Sequence, residues 1–355
     1  MPLLQLPAEV LIQIFDHVGS SYFRSDLSRL RVCRQWSKLA HTACFQDFLV
    51  NQKTLRRLMS SPYIETTLPL IGDSVEALEL NFKGYDNWDF TLLGQTNLVS
   101  TWDEPRGREL REAWTIELDN HLSRLATTIK QSRRLHTICI QAVDEKHPSL
   151  FWPSFEVRSH NLDRRDYLSL STIRTFLSAK NLSSLDLDLC GTGLTTSQLE
   201  HQEHGAETHV CTSIAALLTT LRRLRLRIRT ICPDVLKSQQ HSTNLRLDDV
   251  IINLSVQNDS VEGPGSSTPA GHCFPSSGRS FQLREDMEKQ AQVLVTQLAA
   301  PKIVRILMYR VHPKWRRKMF AFDALTGHTV MLMWREEWDD NGEIWQERSA
   351  KSRVT

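Results

Sequence analysis

The sequence predicts an α/β protein in which a short N-terminal helical module precedes an irregular solenoid of strands and helices. Two observations carry this expectation. Apolar residues in the first fifty positions recur at helical spacing. From residue 75 onward an apolar-x-x-apolar-x-apolar pattern returns again and again, with stretches of 3.6-residue periodicity between its copies.

In the first helix, Pro7 suits the opening turn, where its missing N–H is one of the donors left unpaired anyway, and Glu9 places negative charge near the positive helix end. Val10, Leu11, Ile14, Phe15 and Val18 then share a face. Ser25 and Asp26 are good caps for a second helix carrying Leu27 and Leu30, and Val32, Cys33, Trp36, Leu39 and Ala40 continue at helical spacing. Three helices in about forty residues bury too little apolar surface to be stable alone, so something else must cover them. The rest of the chain and a partner protein are both open as that cover.

The residues Leu6-Pro7-x-Glu9-Val10-Leu11-x-x-Ile14-Phe15, followed by Leu27-x-x-Leu30-x-Val32-Cys33-Arg34-x-Trp36, resemble the F-box over roughly residues 3 to 48. That resemblance implies a helical module that docks on a Skp-type adaptor and so joins a cullin/RING ubiquitin ligase. Carried over by position, it assigns Leu6, Pro7, Glu9, Leu11, Ile14 and Phe15 to the adaptor-facing segment and Val32, Cys33 and Trp36 to a second contact cluster. Trp36 as part of the module's own core is the other reading. The stretch from Gly19 to Arg24 is longer than the family's usual link, and Leu30 to Val32 is one residue tighter.

The spaced pattern occurs at Val75, Leu78, Leu80; Leu135, Ile138, Ile140; Leu182, Leu185, Leu187; Leu221, Leu224, Leu226; and, after an interruption, Ile303, Ile306, Met308, with a looser copy at Leu247, Val250, Ile252. Helical periodicity fills Glu109 to Ile129, Asp166 to Ala179 and Thr208 to Leu221. Strand and helix alternation with this spacing resembles leucine-rich repeats, which stack into a solenoid with a strand-lined concave face. The third apolar position steps from 80 to 140, 187 and 226, that is by 60, 47 and 39 residues. Regular repeats are nearer 20 to 29 residues, so these are long and degenerate. A doubly wound sheet is the alternative for the same alternation. Against it, no strand end leads into a Gly-rich phosphate turn.

Residues 257 to 280 contain 6 Ser, 4 Gly and 3 Pro among 24, which predicts a flexible insertion. Helix is expected again over Gln282 to Leu298, strand over Val304 to Val311, and a hairpin over Met319 to Trp334 turning at Thr326-Gly327. The expected domains are therefore the helical module at 1–58, the repeat-like region at 59–312 and a hairpin cap with a frayed tail at 313–355.

If the repeats stack, the outward residues of successive strands share one surface: Glu79 and Asn81, then Cys139 and Gln141, then Asp186 and Asp188, then Arg225, Arg227 and Arg229. This polar face is the expected site for an extended peptide of the target protein. Alignment of Leu185-Asp-Leu-Asp188 with Leu224-Arg-Leu-Arg227 places Asp186 beside Arg225 and Asp188 beside Arg227, leaving Arg223 and Arg229 without partners.

Other constellations read more plainly. His201, His204, His209 and Cys211 lack the spacing of HExxH or of a zinc finger and are expected to form a polar surface loop running into a helix. Trp334, Trp338 and Trp345 flank the acidic run Glu336 to Asp340, which lacks calcium-loop spacing and reads as a solvated turn or a rim for a basic segment. Seven scattered cysteines without a CxxC pair suggest reduced thiols in the cytosol or nucleus, with no metal centre or cofactor.

The chain has 355 residues and a net charge of +2, which excludes a generalised polyanion field and argues against a nucleic-acid partner. No apolar run approaches the ~20 residues of a membrane span, and the first residues carry Glu9 where a secretory signal would be apolar. No GxSxG elbow or other local catalytic signature is present. The expected function is that of a non-catalytic receptor holding a target protein for a cullin-type ubiquitin ligase. The alternatives are an F-box scaffold acting outside ubiquitination and a hydrolase.

Overall fold

The computed structural model describes residues 6–84, 105–142, 166–195, 209–238, 244–257, 267–269, 271–273, 280–312, 315–332 and 338–344. The chain forms two compact units, one drawn from residues 1–147, 164–185 and 191–210, the other from 148–163, 186–190 and 211–355.

The first unit opens with α1 (Ala8–Val18), α2 (Ser20–Ser25), a 3-10 turn (Leu27–Arg31) and α3 (Arg34–Gln46). Gly19, at φ +82°, ends α1 by donating to the Phe15 carbonyl, a conformation that a side chain would strain. The residues after Gly19 are therefore a helix of their own, which accounts for the long link. The Asp26 carboxylate accepts from the Ser28 N–H and the Cys33 sulfur from the Trp36 N–H, so each caps the turn that follows it.

Strand β1 (Asp47–Asn51) follows α3 directly, although the expected module was helical throughout. It is only five residues long, and its burial pattern lacks the strict alternation that marks β2. The unit continues through α4 (Gln52–Met59), α5 (Ile64–Ser74), β2 (Ala77–Phe82), α6 (Pro105–Lys130) and β3 (Thr137–Ala142). Strands β1, β2 and β3 are parallel neighbours, with Leu49, Glu79 and Cys139 in one register and Asn51, Asn81 and Gln141 in the next. Leu78, Leu80, Phe82, Ile138, Ile140 and Ala142 are fully buried, so the pattern does mark strands with one apolar side. At each strand entry one N–H reaches the preceding entry: Glu76 to the Gln46 carbonyl, His136 to Glu76 and Ser183 to His136. Two-residue strands β4 (Leu168–Ser169) and β6 (Leu194–Thr195) pair in parallel, and α7 (Leu170–Leu177) packs on α6, where the Thr172 hydroxyl donates to Asp119.

The second unit receives Asp186 to Leu189 of β5 (Ser184–Leu189) and adds α8 (Cys211–Leu217), β7 (Arg223–Ile228), β8 (Thr230–Ile231) and β9 (Asp249–Asn253). Further on come β10 (Ser255–Gln257), β11 (Ser267–Pro269), β12 (Gly271–His272), α9 (Ser280–Val295) and β13 to β16 (Ile303–His312, Trp315–Asp323, Thr329–Leu332, Glu343–Ile344). Its strands run in the order β5, β7, β9, β13, β14, β15, β16, parallel from β7 to β13 and antiparallel beyond. The entry hydrogen bonds recur here, from Asp248 to the Arg222 carbonyl and from Lys302 to Asp248. The β14–β15 turn falls where Thr326-Gly327 predicts it, with Gly327 at φ +72°.

Part of the expected flexible insertion is ordered into strands: β11 pairs with β10, and β12 pairs in parallel with β8. Backbone hydrogen bonding to existing strands supplies there what the Gly- and Ser-rich composition lacks in side chains. Among the described residues no helix is long and apolar enough to cross a membrane.

Candidate functional site

The N-terminal module is built around Leu11, Phe15, Phe23, Leu30, Ala40, Ala43 and Cys44, with Leu6, Ile14, Trp36 and Leu39 packed at its margin. Phe15 meets the edge of Phe23 at 5.5 Å and of Trp36 at 4.5 Å between ring centroids. Leu11 and Phe15 are therefore interior residues, which corrects their assignment to the adaptor-facing surface: they stand one turn apart on the side of α1 that closes the module's own core. Trp36 is likewise half core, and its indole N–H donates to the Arg29 carbonyl at 2.6 Å.

What the module leaves outside is a flank of α1. Pro7, Val10, Ile14 and Val18 follow at three- and four-residue steps; Pro7, Val10 and Val18 are exposed and Ile14 is half-buried. Glu9 is exposed beside them, and Val32, at the end of the 3-10 turn, is 58% exposed. Leu6 and Cys33 are half-buried.

The expected polar face is only partly open. In the first unit Glu79, Asn81, Cys139 and Gln141 stand half-buried on one side of β2 and β3, with Leu49 exposed beside them on β1. In the second unit the arginines are taken up by the chain itself. Arg227 makes the expected contact: its Nε donates to Asp188 Oδ1 at 2.8 Å and its terminal nitrogen to Asp188 Oδ2, while its guanidinium lies 5.2 Å from the Trp338 ring.

Arg225 does not pair with Asp186, contrary to expectation. It reaches instead to Asp249 at 2.9 Å and Asp339 at 2.6 Å, because the neighbouring strand β9 and the turn before β16 offer carboxylates nearer to its tip. Arg223 and Arg229, expected without partners, contact Asp249 at 3.5 Å and the Cys190 carbonyl at 2.8 Å respectively. Where the acidic turn is described, arginines hold it: Arg305, buried, donates to the Trp338 and Asp340 carbonyls, while Asp340 itself stays exposed; Trp334, Glu336, Glu337 and Trp345 lie outside the described residues.

This arrangement separates the two aspartates of β5 chemically. Burial raises the pKa of Asp186 against the lowering influence of Arg223 and Arg225, and no ion pair to Asp186 forms among the described residues. Asp339 is held below the ordinary carboxylate value, first of all by its hydrogen bond from Arg225. Beyond the arginines the same side turns apolar, since Ile251, Leu307, Ala321, Val330 and Leu332 form a second core with Ile303, Met319 and Trp338 at its edge.

The reading of His201 to Cys211 as a polar surface loop is corrected where it can be followed. His201 and His204 lie outside the described residues, whereas His209 and Cys211 are buried. Cys232 and Cys273, distant in sequence, gather at Cys211, and none of the seven cysteines is in a disulfide. No short-range spacing announces this grouping.

No curated protein and no solved structure matches the chain. One family model does, described as F-box-like, and its match spans the helices that enclose the Leu11–Phe15 core: residues 3–45 of this chain are an F-box-like domain.

Proposed function

We propose that this protein is a non-catalytic substrate receptor of a cullin-type ubiquitin ligase, acting where that ligase acts, in the cytoplasm or nucleus. The F-box-like domain supports docking on a Skp-type adaptor in general. The observation that carries the reading is the apolar flank of exposed Pro7, Val10 and Val18 with half-buried Ile14, on a domain whose own core is already closed. Covering such side chains contributes ~1.5 to 3 kcal/mol each when burial is complete, enough for a specific complex from a few of them.

The strand and helix units beyond the domain support a reading as degenerate leucine-rich repeats, because successive strand entries repeat the same backbone hydrogen bond. The target would lie along the open polar strip Glu79, Asn81 and Gln141, with Leu49 as its apolar contact. Asp186, Asp188, Arg225, Arg227 and Arg229 are left out of that surface, since clamping contacts already occupy the arginines. Catalysis is by proximity: a target held near a ubiquitin-charged enzyme reacts as though intramolecularly, and the receptor needs no reactive group.

Affinity purification of the tagged full chain tests this. The wild type should recover a Skp-type adaptor and a cullin. Val10→Asp/Val18→Asp should keep the melting temperature and lose the adaptor at least tenfold. Glu79→Lys/Gln141→Lys should keep the adaptor and lose other captured proteins. Adaptor recovery unchanged in the Val10/Val18 variant would overturn the docking face.

A further inference from the structure

Three thiols of the second unit converge on one point. The parallel β8–β12 pair sets Thr230 beside Gly271 and Ile231 beside His272. Equal offsets stay side by side in a parallel ladder, so the next residues on the two strands, Cys232 and Cys273, are brought together. Cys211, the first residue of α8, meets them, its sulfur 3.7 Å from that of Cys273. His209 precedes Cys211 by two residues on the same stretch of chain, and one ligand atom of each of the four lies within 4.8 Å of all the others. His209, Cys211 and Cys232 are buried and Cys273 half-buried.

We propose that Cys211, Cys232 and Cys273, with His209, bind a structural zinc ion. A Cys3His set is among the usual tetrahedral zinc donor groups, and three soft sulfurs select zinc over magnesium or calcium. Zinc–sulfur bonds of about 2.3 Å at tetrahedral angles put sulfurs about 3.8 Å apart, the separation Cys211 and Cys273 already have. A disulfide would require them near ~2.05 Å. Four protein ligands close the coordination shell, which makes the site structural rather than catalytic.

On binding, the three thiols release their protons to solvent and the imidazole coordinates as the neutral base, leaving a complex of one net negative charge. The Cys232 sulfur now donates to Asp234, which keeps its ion pair with Lys237 at 2.6 Å when that proton leaves. Cys232, Pro233, Asp234 and Lys237 also line a cavity of about 380 Å³ with residues of α9. The site would fasten the segment after residue 257 to α8 and the β8 loop, a role that Ser- and Gly-rich chain cannot fill through apolar burial. The inference is independent of what the F-box-like domain binds.

The test is metal analysis of the full chain purified reduced and free of chelators, followed by removal of metal from the wild type and titration with Co2+. The expected results are stoichiometric zinc, a lowered melting temperature after removal, and with cobalt a thiolate charge-transfer band plus the intense visible absorption of a tetrahedral site. Cys232→Ala and Cys273→Ala should lose the metal, and Cys139→Ser, outside the cluster, should keep it. His209→Ala should retain the sulfur band with an altered visible spectrum. Because the cobalt titration uses the wild type, misfolding of a variant does not remove the test. Zinc-free protein that takes up no cobalt would overturn the proposal, as would metal retained by Cys232→Ala or a Cys211–Cys273 disulfide in protein alkylated anaerobically.

Discussion

Replacing Asp188 by Asn and Arg227 by Met, singly and together, isolates one contact of the clamp. Asp188 and Arg227 share two nearly parallel N–H···O bonds, and their side chains are only 14% and 18% exposed. Unit charges ~4 Å apart attract by about 4 kcal/mol at an effective dielectric near 20. Most of that is offset by removing both groups from water, leaving a net coupling of about 2 kcal/mol for a charge-assisted pair. Each single substitution should cost about 3 kcal/mol, since it also strands a half-buried partner. Arg227→Met should be the worse by about 0.5 to 1 kcal/mol, because it alone also loses the Trp338 ring. The double variant should then cost about 4.5 to 5 kcal/mol, about 2 kcal/mol short of the sum of the single effects. Urea denaturation of all four proteins, with unchanged m-values, is the assay. Effects that add to within ~0.5 kcal/mol would show that the two side chains do not interact, and with that the β5–β7 neighbour relation would fail.

Asp186→Asn should be neutral or stabilising at pH 7, in contrast to Asp188→Asn. The raised pKa of Asp186 means that its ionised form opposes folding, so its favourable contribution is complete below the unfolded value and lost as pH rises through the folded one. Asp339 behaves oppositely: its stabilisation is present above the ordinary carboxylate value and is lost as pH falls through the lowered one, which a pH series of melting temperatures on Asp339→Asn would check. Gly342→Ala should destabilise the second unit by about 1 to 3 kcal/mol, since Gly342 sits at φ +51° and an added Cβ would lie 2.8 Å from the Met331 carbonyl oxygen. Melting curves that match the wild type would refute the strain. Leu11→Ala and Phe15→Ala should each cost about 2 to 5 kcal/mol and lose adaptor binding only through unfolding of the domain. A variant that melts like the wild type yet no longer binds would return Leu11 or Phe15 to the contact surface.

Legibility followed the range of the interaction. Leu78, Leu80, Ile138, Ile140, Leu224 and Leu226 could be read because a strand with one buried side imposes a period of two on its own few residues. The helix of Leu11 and Phe15 was legible for the same reason, but its direction was not, since an amphipathic face looks alike whether it closes on its own module or on a partner. The pairing of Asp188 with Arg227 followed from aligning two copies of one repeat. Arg225 escaped that alignment because Asp339, its strongest partner, lies 114 positions away on a turn outside the repeat.

The cysteines carry the same lesson further. A zinc finger is readable when its ligands sit in one short turn, where spacing and geometry are the same fact. Here Cys232 and Cys273 take their proximity from the register of a two-residue parallel ladder, and Cys211 from the helix beginning at it, so their sequence separations carry no geometric content. In a segment rich in Ser, Gly and Pro such a ladder rests on backbone hydrogen bonds with little side-chain burial behind them, so any further tie adds directly to its stability. The neighbouring thiols and imidazole supply such a tie when they share a metal ion. Order at Gly271 to Cys273 and metal at Cys211, Cys232 and Cys273 should therefore rise and fall together. Hydrogen exchange at His272 that is fast without metal and slow with it would be the signature.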